Sequence, residues 1–180
     1  LYINRPLGLA DTGYNYYYAD KIKSVFERDQ DGAWTPLNTT QYDTYLRTTE
    51  ITDPLWGTTK TTYDDDTNSV SVFDILNRET QSVSNQKGQL ESTTRYTKDP
   101  TLTYTHKYQY NSFGEQIVLT DPKTNKHQVL YDTYGKTKEI YYISEDSTKK
   151  KHQTFDYYAN GLTKEVQFYD KLGNKKTKFN

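Results

Sequence analysis

Short runs of alternating apolar and polar residues, separated by turn residues, recur along most of the chain. In the stretch 110–142 one such run follows Gly114 and a second follows Gly135, with Asp121-Pro122 between them. Proline and the residues around it favour turns because their backbone angles or side-chain hydrogen bonds match turn geometry. A period of two places successive side chains on opposite faces of a strand. The pattern therefore predicts one β-hairpin per unit.

An aromatic residue followed by an acid, or by its amide, opens each unit. Tyr110-Asn111 is followed 21 residues later by Tyr131-Asp132, and Tyr42-Asp43 is followed after the same interval by Tyr63-Asp64. Repetition at a fixed interval indicates a repeat architecture, and we count about six degenerate repeats. The positions predicted to carry the motif are Tyr42, Asp43, Asp53, Gly57, Tyr63, Asp64, Phe73, Asp74, Tyr110, Gly114, Asp121, Tyr131, Asp132, Gly135, Phe155, Asp156 and Gly161.

The remaining copies are weaker. One opens at Phe73-Asp74, the last opens at Phe155-Asp156, and an early one runs from Tyr18 to Tyr42. We therefore divide the chain into residues 1–17, an irregular lead-in with a first strand, and the repeat region 18–180. Residues 21–28 fit a short amphipathic helix or a strand, and the repeat favours the strand. The charged stretch 144–152 is expected to project into solvent as an insertion.

These motifs resemble the YD-repeat (Rhs) family, whose unit is Tyr-Asp-x-x-Gly-Arg, a threonine-rich strand and an Asp-Pro-x-Gly turn. The best matches are 42–64 and 110–135, although Leu46 stands at the turn glycine and Asn111 replaces an acid. The resemblance covers residues 18–179. It implies an all-β fold of tandem hairpins in one continuous curved sheet with little or no helix.

The same resemblance implies a function. Family members form hollow shells in bacterial polymorphic toxins, in the B and C components of Tc toxins, and in teneurins. By resemblance this chain is a non-enzymatic piece of shell wall that encapsulates or presents a toxin or cargo domain. Its partners would be the rest of a larger polypeptide or a partner shell subunit. A secreted or cell-surface location in bacteria follows from the same comparison.

Composition restricts the kind of core that the chain can build. Only 33 of its 180 residues are Leu, Ile, Val or Phe, whereas 19 are tyrosine. Such an inventory favours a sheet that carries tyrosine and meets water on at least one face. The net charge of −1 gives no general attraction to nucleic acid, and no apolar run is long enough to span a membrane. The absence of cysteine excludes a disulfide framework and a thiolate metal site. The absence of methionine indicates a processed chain or an excerpt from a longer one, and we favour the excerpt.

Candidate chemistry is sparse. Asp64, Asp66 and Asn68 have the spacing of calcium-loop oxygens, but the later glycine and glutamate of such a loop are missing, so a solvated turn is the preferred interpretation. His106, His127 and His152 lack the spacing of metal ligands. We therefore expect no catalytic residue, metal or cofactor. Trp34 and Trp56, with the tyrosine-rich face, could stack on ligands, which leaves an extracellular carbohydrate- or protein-binding module as the alternative function.

Overall fold

The computed structural model describes residues 12–16, 21–28, 31–99, 102–170 and 172–179. These residues form fifteen β-strands and contain no helix, so none of them belongs to a helix that could cross a membrane. The strands are β1 Thr12–Tyr16, β2 Ile22–Arg28, β3 Trp34–Tyr42, β4 Thr48–Asp53, β5 Gly57–Asp64, β6 Ser69–Phe73, β7 Glu79–Ser84, β8 Leu90–Tyr96, β9 Thr103–Tyr110, β10 Gln116–Thr120, β11 Lys126–Tyr131, β12 Thr137–Ile143, β13 Lys149–Tyr157, β14 Thr163–Tyr169 and β15 Lys175–Phe179.

Each strand pairs with the strand that follows it in the sequence, so the hydrogen-bonded order runs from β1 to β15 without a crossover. The pairs from β1 to β6 and from β9 to β15 are antiparallel. This confirms the prediction of an all-β fold made of consecutive hairpins. Within the stretch 21–28, residues Ile22–Arg28 form strand β2 rather than a helix, and the backbone of Ser24 pairs with that of Thr39 in the neighbouring strand.

The chain divides into two compact units. The first contains residues 1–81 and 95–102, and the second contains residues 82–94 and 103–180. Strands β1 to β6 belong to the first unit and β9 to β15 to the second, while β7 and β8 contribute residues to both. Of the predicted lead-in and first strand 1–17, the structure describes residues 12–16, which form β1; residues 1–11 and 17 and the early motif residues 18–20 lie outside the described residues.

Neither unit contains a thick apolar core in its described part. Val118, at 9% exposure, is the one apolar side chain there that is buried, and four polar residues are buried with it: Ser24, Ser69, Ser71 and Gln167. Most other strand side chains are half-buried, as expected when a sheet is covered by few other elements. Hydrogen bonds between the backbones of neighbouring strands, together with contacts at the turns, must therefore provide much of the stabilisation that a buried core provides in other proteins.

Two sequence-based expectations are wrong in detail. The stretch 144–152 is not an insertion, because a tight turn at 144–148 leads directly into strand β13, where Lys150 and Lys151 pair with Tyr142 and Tyr141. The last repeat does not open at Phe155-Asp156. Both residues lie inside β13, paired with Val166 and Glu165 of β14, and the following turn begins two residues later than expected. Alternating threonine, aromatic and acidic residues in β13 concealed the position of the turn.

Candidate binding cleft

Nine of the described turns have the same hydrogen-bond geometry. In each, the N–H of residue one donates to the carbonyl of residue five, and the N–H of residue four donates to the carbonyl of residue one. Residue four has a positive φ in every case. This is the three-residue hairpin loop in which a type I turn is followed by a left-handed residue. The nine turns are 43–47, 74–78, 85–89, 111–115, 121–125, 132–136, 144–148, 158–162 and 170–174.

The acid or amide of the motif is the first residue of the turn. The Oδ1 atom of Asp132 accepts hydrogen bonds from the backbone N–H groups of Tyr134 and Lys136, at 2.8 and 2.9 Å. Asn111 accepts the same two bonds from Phe113 and Glu115. An amide therefore replaces the acid without loss of the turn, because only a side-chain oxygen at this spacing is required.

Several turn aspartates are held in the ionised form. The side-chain bond from Arg78 is the largest cause that lowers the pKa of Asp74. Donation by the backbone N–H of Asn174 is the largest cause for Asp170, and donation by that of Thr148 is the largest for Asp146. A side-chain bond from Asn125, opposed by burial, lowers the pKa of Asp121. These shifts link the turns to the stability of the fold.

We expect the free energy of unfolding to fall as the pH drops below about 5. A carboxylate whose pKa is lowered by folding stabilises the protein fully above its unfolded pKa of about 3.9, and that contribution is lost as the pH falls through the folded pKa. Urea unfolding between about pH 5 and about pH 3 measures the loss. Asp121→Asn keeps the acceptor oxygen and removes the titration, so its slope should be shallower. An unchanged slope would contradict this origin.

The motif tyrosine forms a hydrogen bond to the residue that follows the preceding turn on the same edge. The hydroxyl of Tyr131 donates to the carbonyl of Gln116, the first residue after the preceding turn on the same edge, at 2.9 Å. Burial, with the negative charge of Glu115, raises the pKa of this tyrosine. The same bond is made by four other tyrosines to the first residue of the preceding strand: Tyr42 to Ile22, Tyr63 to Thr48, Tyr110 to Leu90 and Tyr157 to Thr137.

In the second unit, residue five of one turn also contacts residue four of the next turn on the same edge. Lys136 donates from Nζ to the carbonyl of Gly161 at 2.7 Å, and Gln89 donates to that of Gly114 at 3.4 Å. A Cβ atom built on Gly135 would lie 2.7 Å from Oε1 of Glu115. We call these contacts the turn ladder. They give the glycines a second role besides their positive φ, since a side chain there would displace the neighbouring residue.

The first unit holds a charged version of the same contact. Arg47, residue five of its turn, donates to Asp43 at 2.7 Å and to Asp65 of the next turn at 2.6 Å, while its guanidinium carbon lies 4.2 Å from the ring centroid of Tyr63. The bond to Asp65, followed by the bond to Asp43, raises the pKa of Arg47. Leu46 takes the positive φ of the missing glycine, at 62°.

The structure places most motif residues at strand ends, with two differences. Phe73 ends β6 and Asp74 is the first residue of the turn that joins β6 to β7, at the opposite sheet edge from the turns that follow Tyr42 and Tyr63 in the same unit. Asp53 and Gly57 belong to a different turn, in which Oδ1 of Asp53 accepts from both Leu55 and Trp56 and Gly57 has a φ of 98°.

The suggested calcium ligands form an ordinary turn. Oδ1 of Asp64 accepts from the backbone N–H groups of Asp66 and Thr67, at 3.0 and 3.2 Å. No group of three or more His, Asp or Glu side chains in the described part of the chain is arranged to hold a metal ion. His127 and His152 lie 6.5 Å apart between ring centroids, a proximity set by strand pairing rather than by sequence spacing.

The two tryptophans are exposed, Trp34 at 43% and Trp56 at 73%. Trp34 begins strand β3, where the guanidinium carbon of Arg28 lies 6.0 Å from its ring centroid. Trp56 lies in the turn between β4 and β5 beside Leu55, which is 87% exposed.

The second unit contains a cleft that sequence spacing did not reveal. It has a volume of about 550 Å³ and lies between turns 132–136 and 158–162. Tyr134 and Tyr158, which are 87% and 55% exposed, stand at its rim. Its other lining residues are Asp132, Lys136, Lys138, Phe155, Asp156, Tyr157, Ala159, Asn160 and Gly161. The repeat period does not bring these two turns together, because the interval from Tyr131 to Tyr157 is longer than that from Tyr110 to Tyr131.

Lys136 and Tyr157 fix one side of this cleft. The Nζ atom of Lys136 lies 5.0 Å from the ring centroid of Tyr157, whose hydroxyl donates to Thr137 at 2.8 Å. Burial, with the negative charge of Asp132, raises the pKa of Tyr157. This tyrosine is therefore neutral at physiological pH and serves as a packed wall of the cleft.

No family model and no curated protein matches the chain. Among solved structures, it is similar to a chain of the crystal structure of TcdB2-TccC3, with 13% identity and a TM-score of 0.47 over 89% of this chain and 9% of that one. It is also similar to a chain of the Photorhabdus luminescens Tc holotoxin pore, with 13% identity, a TM-score of 0.43 and coverage of 89% and 12%. The chain thus spans about a tenth of the length of these structures.

Proposed function

We propose that this chain is a non-enzymatic, structural segment of a larger secreted YD-repeat protein, in which it forms part of a wall that encloses or presents a toxin or cargo domain. The observation that supports this role is the turn ladder. Lys136 with Gly161, and Gln89 with Gly114, connect the turns of neighbouring hairpins in addition to backbone pairing. Contacts that recur between hairpins allow a sheet to be extended without a thick core.

The two outer strands support a role inside a larger assembly. In the described part of the chain, β1 pairs with β2 alone and β15 with β14 alone. A strand with one unpaired edge presents backbone N–H and C=O groups that another strand can bind. We infer that the remainder of a larger polypeptide, or a partner shell subunit, covers these edges.

We expect the isolated 180-residue chain to associate. Its open edges should pair between copies, so the mass measured by size-exclusion chromatography with light scattering should rise with protein concentration. Addition of the neighbouring hairpins of its parent sequence should reduce this association, because they would cover the edges. A chain that stays monomeric at every concentration and melts in one two-state transition would contradict the wall proposal.

A ligand-binding role is the second candidate. It is favoured by exposed aromatic side chains at turns, among them Trp56, Phe113 and Tyr134 at 73%, 89% and 87% exposure. Exposed apolar surface of this kind commonly marks interaction sites when it is contiguous, and Phe113 and Tyr134 lie on consecutive turns of one sheet edge. The two roles are compatible, since a wall segment can carry a binding site on its rim.

A further inference from the structure

The cleft between turns 132–136 and 158–162 has the composition of a ligand site. Tyr134 and Tyr158 offer exposed aromatic rings, whereas Tyr157 is fixed by its hydroxyl bond and by Lys136. Ligand sites are typically concave, with volumes of about 300 to 1,000 Å³ and a few polar groups among apolar ones. The cleft falls within this range at about 550 Å³.

The charges in the cleft restrict the class of ligand. Its charged lining residues are Asp132, Asp156, Lys136 and Lys138, so their formal charges cancel. Two of these side chains already form hydrogen bonds within the protein. Asp132 accepts from backbone N–H groups of its own turn, and Lys136 donates to the carbonyl of Gly161. Asp156 and Lys138 remain exposed as a hydrogen-bond acceptor and a donor. Such a set favours an uncharged ligand with many hydroxyl groups over a polyanion or a cation.

The rim suggests an extended ligand rather than a compact one. Turns 111–115, 132–136 and 158–162 follow one another on the same sheet edge, and consecutive turns are separated by two strands, or about 9.5 Å. They carry Phe113, Tyr134 and Tyr158, with exposures of 89%, 87% and 55%. Phe113 and Tyr134 are the third residues of their turns, whereas Tyr158 is the first residue of its turn. Aromatic rings on three consecutive turns of one edge match an extended polymer of pyranose rings, whose apolar faces stack on aromatic side chains.

We propose that this cleft and rim bind a neutral, extended β-linked glycan, stacked on Tyr134 and Tyr158 and hydrogen-bonded by Lys138 and Asp156. The proposal specifies the second candidate function and is independent of the wall role. Loss of glycan binding would leave the association of the sheet edges unchanged, and a monomeric chain would leave the glycan site intact.

The test is isothermal titration of the full chain with cellohexaose, chitohexaose and mannohexaose. We expect at least one to bind with a Kd of about 1 mM or lower, and Tyr134→Ala or Tyr158→Ala to weaken it about tenfold. Both rings are largely exposed, so these variants should keep the urea midpoint of the parent chain. Tyr45→Ala is the matched control for Tyr134→Ala, because Tyr45 occupies the third turn position in the first unit, as Tyr134 does in the second, and is 74% exposed.

Four results would overturn the proposal. One is the absence of heat with all three glycans at about 10 mM. Another is binding that is unaffected by Tyr134→Ala and Tyr158→Ala. A third is binding abolished by Trp56→Ala, which would place the site at the other turn. Tighter binding of polygalacturonate or heparin than of the neutral glycans would show that the ligand class is anionic.

Discussion

Replacement of Gly161 by alanine is expected to lower the free energy of unfolding by about 2 to 3 kcal/mol, whereas Gly173→Ala should cost about 1 to 2 kcal/mol. Both glycines have a φ of 85°, so the left-handed strain is the same. They differ in their surroundings. A Cβ atom on Gly173 meets nothing within 4 Å, whereas one on Gly161 collides with Nζ of Lys136. The excess cost of Gly161→Ala is therefore the loss of a turn-ladder contact.

A double-mutant cycle measures that contact. Lys136→Met removes the ammonium that donates to Gly161 and keeps most of the apolar stem. In this background Gly161→Ala should cost no more than Gly173→Ala does in the parent chain, when both are measured by urea unfolding. Equal costs for the two glycine variants in the parent chain would contradict the ladder as a source of stability.

The turn ladder explains how a chain with so little buried apolar surface forms an ordered sheet. Five motif tyrosines donate to the first residue of the preceding strand, as Tyr157 does, and several residues at the fifth turn position reach the next turn, as Lys136 does. These contacts lie at strand ends, where hairpins would otherwise fray. The stabilisation that a buried core supplies in other proteins thus comes here from many small contacts along the sheet edge.

The fold class could be predicted from the sequence because its strongest signals are local. The oxygen of Asp43 or Asp132, three residues before the left-handed position, specifies a turn without reference to any distant residue. Where the local signal is weak the prediction failed. Turn 144–148 begins with Ser144 and turn 158–162 with Tyr158, so neither has an acid or amide at its first position. The backbone N–H of the fifth residue donates instead to the third residue, Asp146 in the first turn and Asn160 in the second.

The cleft could not be predicted in the same way. Its two rims lie more than twenty residues apart in the sequence, and repeats of different strand length separate them. Strand β13 has nine residues where β11 has six, so the interval between Tyr131 and Tyr157 exceeds that between Tyr110 and Tyr131. The proximity of Tyr134 and Tyr158 becomes visible only when the pairing of β12 with β13 is known. Trp34 and Trp56, the stacking candidates chosen by residue type, are not among its lining residues.

Replacement of Tyr131 by alanine should lower the free energy of unfolding by about 3 kcal/mol, of which Tyr131→Phe should account for about 1 kcal/mol. The phenylalanine variant removes the hydrogen bond to Gln116 and keeps the half-buried ring, whereas the alanine variant removes both. Urea unfolding of the two variants separates the hydroxyl contribution from the packing contribution.

Tyr134→Ala is the control for this comparison, because Tyr134 lies three residues further along, in the adjoining turn, and is 87% exposed. Its ring contributes little burial, so its loss should change the free energy of unfolding by less than about 0.5 kcal/mol. A cost for Tyr131→Ala as small as that for Tyr134→Ala would mean that the motif tyrosine acts through β-propensity alone. The hydrogen bond between consecutive turns would then contribute nothing to the free energy of unfolding. There would be no physical reason for an aromatic residue to mark the start of each repeat.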